Sequence, residues 1–175
     1  GWASHGGGRT YTYAGEGNQY VLDNSNSKTE SYGLELQSNW KPNEDYAFGL
    51  GYTRTQSYDG TTCDDPGSSC NDEMNVRVPK HQLNLIGTKF FNKNLSQTFK
   101  LKYVGERRDY GNTNNGFTDV TLSNYVVADL ITNYKLFNTY NLNISAKNIL
   151  NARYSEAYEY KAPGRSINFM LKKNY

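Results

Sequence analysis

The sequence predicts an all-β protein, an antiparallel transmembrane β-barrel of the kind found in bacterial outer membranes. Three observations predict it. Short polar turns alternate strictly with long polar connections from residue 27 onward, as in a barrel with tight turns at one end and extended loops at the other. The segments between them carry apolar side chains at every second position, the period that puts successive residues on opposite faces of a sheet. Aromatic residues cluster beside the short turns, where amphipathic rings favour a half-desolvated headgroup layer.

Taken in order, the short connections are 41–45, 92–95 and 137–139, and the long ones are 59–79, 108–122 and 151–164. Residues 1–26 are rich in Gly and Asn; they hold the end of one strand near Arg9 and Tyr13, then an outer loop, then the upper part of the strand that runs to Trp40. In that strand Tyr32, Leu34, Leu36 and Trp40 share one face, and Ser31, Gly33, Glu35, Gln37 and Asn39 the other. The next sets Tyr46, Phe48, Leu50 and Tyr52 against Ala47, Gly49, Gly51 and Thr53. Residues 81–91 and 125–134 are less regular, because Ile86, Phe90, Val127 and Ile131 fall on the polar parity. Residues 139–147 set Tyr140, Leu142, Ile144 and Ala146 against Asn141, Asn143, Ser145 and Lys147, and the last strand sets Ile167, Phe169, Leu171 and Tyr175 against Ser166, Asn168 and Lys172. About eight strands result, the first truncated. Trp40 and Tyr46, Phe91 and Phe99, and Tyr134 and Tyr140 flank the three short turns as a girdle. The prolines 42, 66, 79 and 163 all fall in connections or at the mouth of a strand, where a missing N–H breaks no ladder.

Composition excludes several classes. Mean hydropathy is −0.84, and no apolar run approaches the ~20 residues of a spanning helix. A barrel escapes that test because every second strand residue faces a polar lumen. Nineteen basic and 17 acidic residues leave a net charge of +2, which makes no electrostatic case for nucleic acid. Catalysis finds no support: His5 and His81 are the only histidines, and no triad, paired-carboxylate or metal-ligand spacing emerges. Gly6 to Gly8 lacks the Lys-Ser/Thr of a phosphate loop.

Cys63 and Cys70 bracket Asp65-Pro66-Gly67, turn chemistry that doubles the chain back and brings the sulfurs together. A disulfide and an oxidising compartment are expected, the alternative being two free thiols. Asp64, Asp65, Asp72 and Glu73 offer hard oxygen ligands for calcium in this outer loop, against the plainer reading of a solvated acidic loop; no other cofactor or metal is expected.

Residues Asn148-Ile149-Leu150-Asn151-Ala152-Arg153-Tyr154, followed by Tyr158-Glu159-Tyr160-Lys161-Ala162-Pro163-Gly164-Arg165, resemble the closing motif of TonB-dependent outer-membrane receptors. Arg77 to Leu85, with Pro79-Lys80, and Tyr32-Gly33-Leu34-Glu35 resemble two further segments of that family. Tyr175, preceded at alternate positions by Leu171, Phe169 and Ile167, resembles the C-terminal insertion signature of outer-membrane proteins, with Lys173 interrupting the apolar set. The resemblance covers about residues 19–175, and the spacing is most similar to the vitamin B12 (cobalamin) receptor branch. It implies a 22-stranded barrel with an N-terminal plug, taking up cobalamin or an iron chelate with energy relayed by the TonB complex. On that reading residues 1–175 are the C-terminal part of one barrel domain, with the plug and earlier strands absent; the chain lacks an initiator Met and reads as a mature piece or a fragment. The expected partners are outer-membrane lipid, the TonB complex through the plug, and a small-molecule ligand, with the receptor a monomer.

The resemblance also supplies candidate ligand contacts. Arg77 holds the place of an arginine that lines the pocket in the cobalamin branch, and its guanidinium suits amide carbonyls or phosphate; the alternative is an ion pair with Asp72 or Glu73. Tyr110, Tyr158 and Tyr160 are stacking or hydrogen-bonding candidates in the other outer connections, or else structural tyrosines. Arg107, Arg108 and Asp109 read first as an ion network on the barrel wall. Two rivals stand beside this reading: a complete eight-stranded barrel acting as anchor or adhesin, and a soluble carbohydrate-binding β-sandwich whose core would bury Leu34, Leu36, Phe48 and Leu50.

Overall fold

The computed structural model describes residues 4–5, 8–11, 19–22, 28–60, 73–113, 116–137 and 139–173. These form β1 (Ser4–His5), β2 (Gly8–Tyr11), β3 (Gln19–Leu22), β4 (Lys28–Trp40), β5 (Tyr46–Gly60), β6 (Glu73–Met74), β7 (His81–Phe90), β8 (Leu95–Val104), β9 (Arg107–Thr113), β10 (Gly116–Leu122), β11 (Tyr125–Leu136), β12 (Tyr140–Lys147), β13 (Ser155–Ala157), β14 (Tyr160–Lys161) and β15 (Ser166–Lys173). No helix occurs among the described residues.

The chain divides into two compact units. One comprises Gly1–Ser31 and Ser57–Met74. In it β1, β2 and β3 form an antiparallel meander, and the end of β5 pairs with β6 through Tyr58↔Met74 and Asp59↔Glu73. The strand expected near Arg9 is therefore β2, the middle strand of the three-stranded sheet β1-β2-β3. Cys63, Cys70, Asp64, Asp65 and Asp72, which carry the disulfide and calcium expectations, lie outside the described residues.

The other unit comprises Tyr32–Gln56 and Asn75–Tyr175. Its sheet runs in the order β15-β12-β11-β8-β7-β5-β4, every neighbour reached by a hairpin or a longer antiparallel connection. The register sets the faces, because residues directly opposite one another across a pair share a face. One row crosses six strands as Phe48, Gly87, Phe99, Leu130, Ala146 and Ile167. The next holds Leu50, Leu85, Leu101 and Ala128. The opposite face carries Ala47, Thr88, Thr98, Ile131, Ser145 and Asn168 in one row and Gly49, Ile86, Lys100 and Asp129 in another. The parity read from the sequence thus holds, including Ile86 and Ile131 on the polar side. Leu34 and Leu36 are each 53% exposed and Phe169 is 70% exposed, so among the described residues nothing buries these apolar side chains. That removes the soluble sandwich, which would cover those side chains.

Two short turns share one device. Asn43 Oδ1 accepts from the N–H groups of Asp45 and Tyr46, and Asn92 Oδ1 accepts from those of Asn94 and Leu95. Each side chain mimics a backbone turn and fixes the hairpin register. Beside them Trp40 and Tyr46 stack on Phe48, and the Lys89 ammonium lies over the Tyr46 and Phe91 rings at 5.5 and 4.7 Å. At Gly33 a Cβ would collide with the Arg54 carbonyl oxygen, so β4 and β5 approach closely there only because the side chain is absent.

The long connections differ from expectation. Residues 108–122, read as a polar loop, are mostly the β9–β10 hairpin, paired from Gly116↔Thr113 to Leu122↔Arg107. Residues 151–164 contain the β13–β14 hairpin, with a register shift between Ser155 and Ala157.

Candidate ligand-binding site at the long-connection end

The outer end is organised around one carboxylate. Asp109 has no exposed surface. Its Oδ1 accepts from Arg77 Nε at 2.9 Å and from its neighbour's backbone, Tyr110 N–H, at 2.9 Å; its Oδ2 accepts from the Tyr158 backbone N–H at 2.7 Å. Burial alone would raise its pKa, but the Tyr158 and Tyr110 N–H groups and the Arg77 guanidinium together hold it below the usual carboxylate value. Arg77 takes positive φ, 63°, and its own N–H donates to the Arg108 carbonyl at 2.7 Å, so backbone and side chain clamp the 75–80 segment onto β9.

The β13–β14 hairpin covers the same face of β9–β10. Gly111 permits this, since a Cβ there would lie 2.8 Å from Val120 Cγ1 and 3.4 Å from the Tyr158 ring. Arg107 donates through Nη2 to the Ser155 carbonyl and lies 5.3 Å over the Tyr125 ring, and Tyr154 stacks on Tyr125 with centroids 4.0 Å apart. Tyr125 opposes Val104, which opposes Gln82, on the polar face. The 151–164 connection therefore folds in against the lumen side.

Asn148 sets that fold. It adopts positive φ, 50°, as does Asn151 at 54°, a conformation Asn tolerates better than most residues. Its buried side chain accepts from Ala152 N–H at 2.8 Å and donates to the Ala152 and Pro163 carbonyls, while its own N–H donates to Asp129 Oδ1 at 2.8 Å. Burial first, then the charges of Glu156 and Asp129, push the Tyr154 phenol pKa up. Between the β10–β11 turn and this connection lies a cleft of about 340 Å³, walled by Thr121, Ser123, Asn124, Arg153, Tyr154 and Tyr158 among others.

Of the sequence candidates, Arg77 meets Asp109 through its side chain, and Tyr110 and Tyr158 meet it only through their backbone N–H groups. Arg77 pairs with Asp109, and its side chain stays 60% exposed; Asp72 and the Glu73 side chain, the other expected partners, lie outside the described residues. Tyr110 is 47% exposed with Arg108 over its ring at 5.4 Å, and Tyr160 is 76% exposed on β14. Arg108 is tied to Asp119 at 2.7 Å and Asp109 to Arg77, two separate ion pairs, while Arg107 donates to the Ser155 carbonyl, so these three residues contribute to the wall without forming one ion network with each other. The sequence did not single out Asn148 as a buried organiser or Tyr154 as a stacked ring; the signal it offered was Asn at both 148 and 151, a residue type that tolerates positive φ.

Residues 5–149 match the family described as TonB dependent receptor-like, beta-barrel. The chain belongs to this family. The TonB-dependent receptors are outer-membrane transporters, not enzymes. The apolar face described above is thus the lipid face, the Asn43 and Asn92 turns are periplasmic, and the Asp109 cluster is extracellular. Among solved structures, the chain is similar to the ferripyoverdine receptor of the outer membrane of Pseudomonas aeruginosa, at 14% identity and a TM-score of 0.67 over 88% of this chain and 20% of that one. It is also similar to the FrpB iron transporter of Neisseria meningitidis, at 19% identity and a TM-score of 0.68 over 88% and 24%, and to the ferric-catecholate import receptor Fiu of E. coli K12, at 16% and 0.67 over 87% and 22%. At these identities the likeness establishes the fold. The chain spans about a fifth to a quarter of the length of those receptors. No curated protein matches it by sequence.

Proposed function

We propose that this chain forms part of the barrel wall and extracellular connections of a receptor that imports a metal chelate across the outer membrane by a TonB-dependent mechanism. The family match over residues 5–149 carries the reading. An iron chelate is the favoured cargo, because the similar solved proteins are a ferripyoverdine receptor, an iron transporter and a ferric-catecholate import receptor. Cobalamin is the second reading, favoured by Arg77 immediately before Val78-Pro79-Lys80.

The ligand-facing groups in this reading are Arg77, Tyr110, Tyr158 and Tyr160. The Asp109 clamp holds Arg77 by Nε, which leaves the two terminal nitrogens on an exposed side chain for a ligand oxygen. Deletion of the gene in its host, followed by growth on single ferric chelates or on cobalamin as the only source, tests the cargo. Loss of growth on one ferric chelate, restored by the full gene and not in a TonB-deficient strain, is the expected result. Loss confined to cobalamin establishes the second reading, and growth unchanged on every source overturns both.

A further inference from the structure

The lipid face carries a polar interruption between two apolar rows. On its inner side is the row of Phe48, Phe99, Leu130 and Ile167, and toward the periplasmic turns is the row of Leu95, Tyr134, Leu142 and Leu171. Between them the register sets Tyr46, Lys89, Gln97, Thr132, Ile144 and Phe169 opposite one another. Lys89, Gln97 and Thr132 are neighbours on three strands; two inter-strand steps of about 4.8 Å spread their donors over roughly 10 Å of wall. Gln97 Nε2 donates to Thr132 Oγ1 at 3.3 Å, which leaves the amide its second N–H and the threonine its hydroxyl hydrogen. Neither side chain has another partner among the described residues. The Lys89 ammonium lies over the Tyr46 and Phe91 rings and has no carboxylate at ion-pair distance among the described residues. Donors that face lipid without an acceptor are costly. Snorkelling accounts for Lys89 alone, because its long stem carries the ammonium toward Phe91 beside the turn. Gln97 and Thr132 have shorter side chains that stay between the apolar rows, so their acceptors must come from whatever lies against the wall.

We propose that this ridge is a binding site for one glycerophospholipid of the periplasmic leaflet. The lipid phosphodiester pairs with the Lys89 ammonium, and the ester carbonyls accept from the free Gln97 N–H and the Thr132 hydroxyl. Charge and level both match this occupant. The cation, drawn toward the turn, sits nearer the water, and the neutral donors sit among apolar rows, as phosphate and ester are ordered in a leaflet. A bond between ammonium and phosphate is charge-assisted, about twice as strong as a neutral one, and the two rings hold the cation in place for it. Phe99 and Leu130, in the next row inward, then meet the acyl chains. The site requires the lipid face but no particular cargo, so it stands apart from the transport reading.

The test uses the full-length receptor, extracted in detergent and titrated with dioleoylphosphatidylglycerol while native mass spectrometry follows the lipids retained. One retained lipid should stand apart from a weaker remainder. Its affinity should fall by about fivefold or more in Lys89→Gln and in the double variant Gln97→Leu with Thr132→Val. It should survive in Lys89→Arg and be unmoved in Lys135→Gln on the lumen face. Dioleoylglycerol, which has the esters without the phosphate, should not occupy the site. Affinity unchanged in Lys89→Gln, equal retention of dioleoylglycerol, or a lipopolysaccharide or protein retained there in the native extract overturns the proposal. Heat-modifiable gel mobility reports the folding of each variant; should Lys89→Gln not fold, the Gln97 and Thr132 double variant decides. Cargo uptake is scored separately, so lipid retained by a receptor that imports no chelate refutes the transport reading and leaves this one standing.

Discussion

Asp109 is the residue on which the extracellular end depends, and its energetics give a signed expectation. A buried carboxylate whose donors are removed from water leaves those donors unsatisfied when it is truncated, at about 1–3 kcal/mol. Asp109→Ala should therefore loosen the β13–β14 hairpin, read as faster proteolysis or hydrogen exchange at residues 155–161. Because the folded-state pKa lies below the usual carboxylate value, the carboxylate's contribution is fully present above that usual value and is lost as pH falls through the lowered one. Protease sensitivity at 155–161 should rise only in acid, and in Asp109→Asn it should lose that pH dependence. The sequence placed Asp109 in an ion network but could not name its partners. Tyr158 lies 49 positions away, and only the fold brings its N–H within reach.

Among the elements, the long strands were legible and the small hairpins were not. Period two sorts Phe48 from Gly49 and Leu142 from Asn143 without reference to any neighbour, so faces, turns and girdle follow from local pattern alone. The β9–β10 hairpin hides because its inward residues, Arg107, Asp109 and Gly111, are polar or lack a side chain, and their burial depends on the later β13–β14 segment. The lipid face can be challenged directly. Arg or Lys at the bilayer midplane costs roughly 2–4 kcal/mol on an outward position, so Leu85→Arg, in the row of Leu50 and Leu101 away from the short turns, should lower insertion and urea resistance, while Asn84→Arg on the opposite face should be tolerated. Equal behaviour of the two would refute the face assignment. The disulfide proposed from the sequence between Cys63 and Cys70 makes a separate expectation: thiol-alkylating reagent should add no mass to the native receptor until a reductant is present.

For the whole molecule, the sheet order ends at β4 on one side and β15 on the other among the described residues. A strand edge facing hydrocarbon leaves N–H and C=O groups without partners, at several kcal/mol each, so a barrel must close. Either further strands complete it or these strands close on themselves. The intact mass of the membrane-extracted protein decides: a value several times 19.9 kDa fits the large receptor barrel, and a product of that mass alone fits a small, self-contained one.

The Asp109 carboxylate gathers donors from the 75–80 segment, from β9 and from the β13–β14 turn. Three pieces of chain far apart in sequence are thereby made to answer as one. Cutting any tie should alter the worth of the others, so Arg77→Ala combined with Asp109→Asn should fall short of the sum of the single losses, as expected of neighbours sharing a partner. A molecule that draws Arg77 away would by the same bond loosen the hairpin beneath Tyr158, and the mouth would register its arrival before any cargo moved.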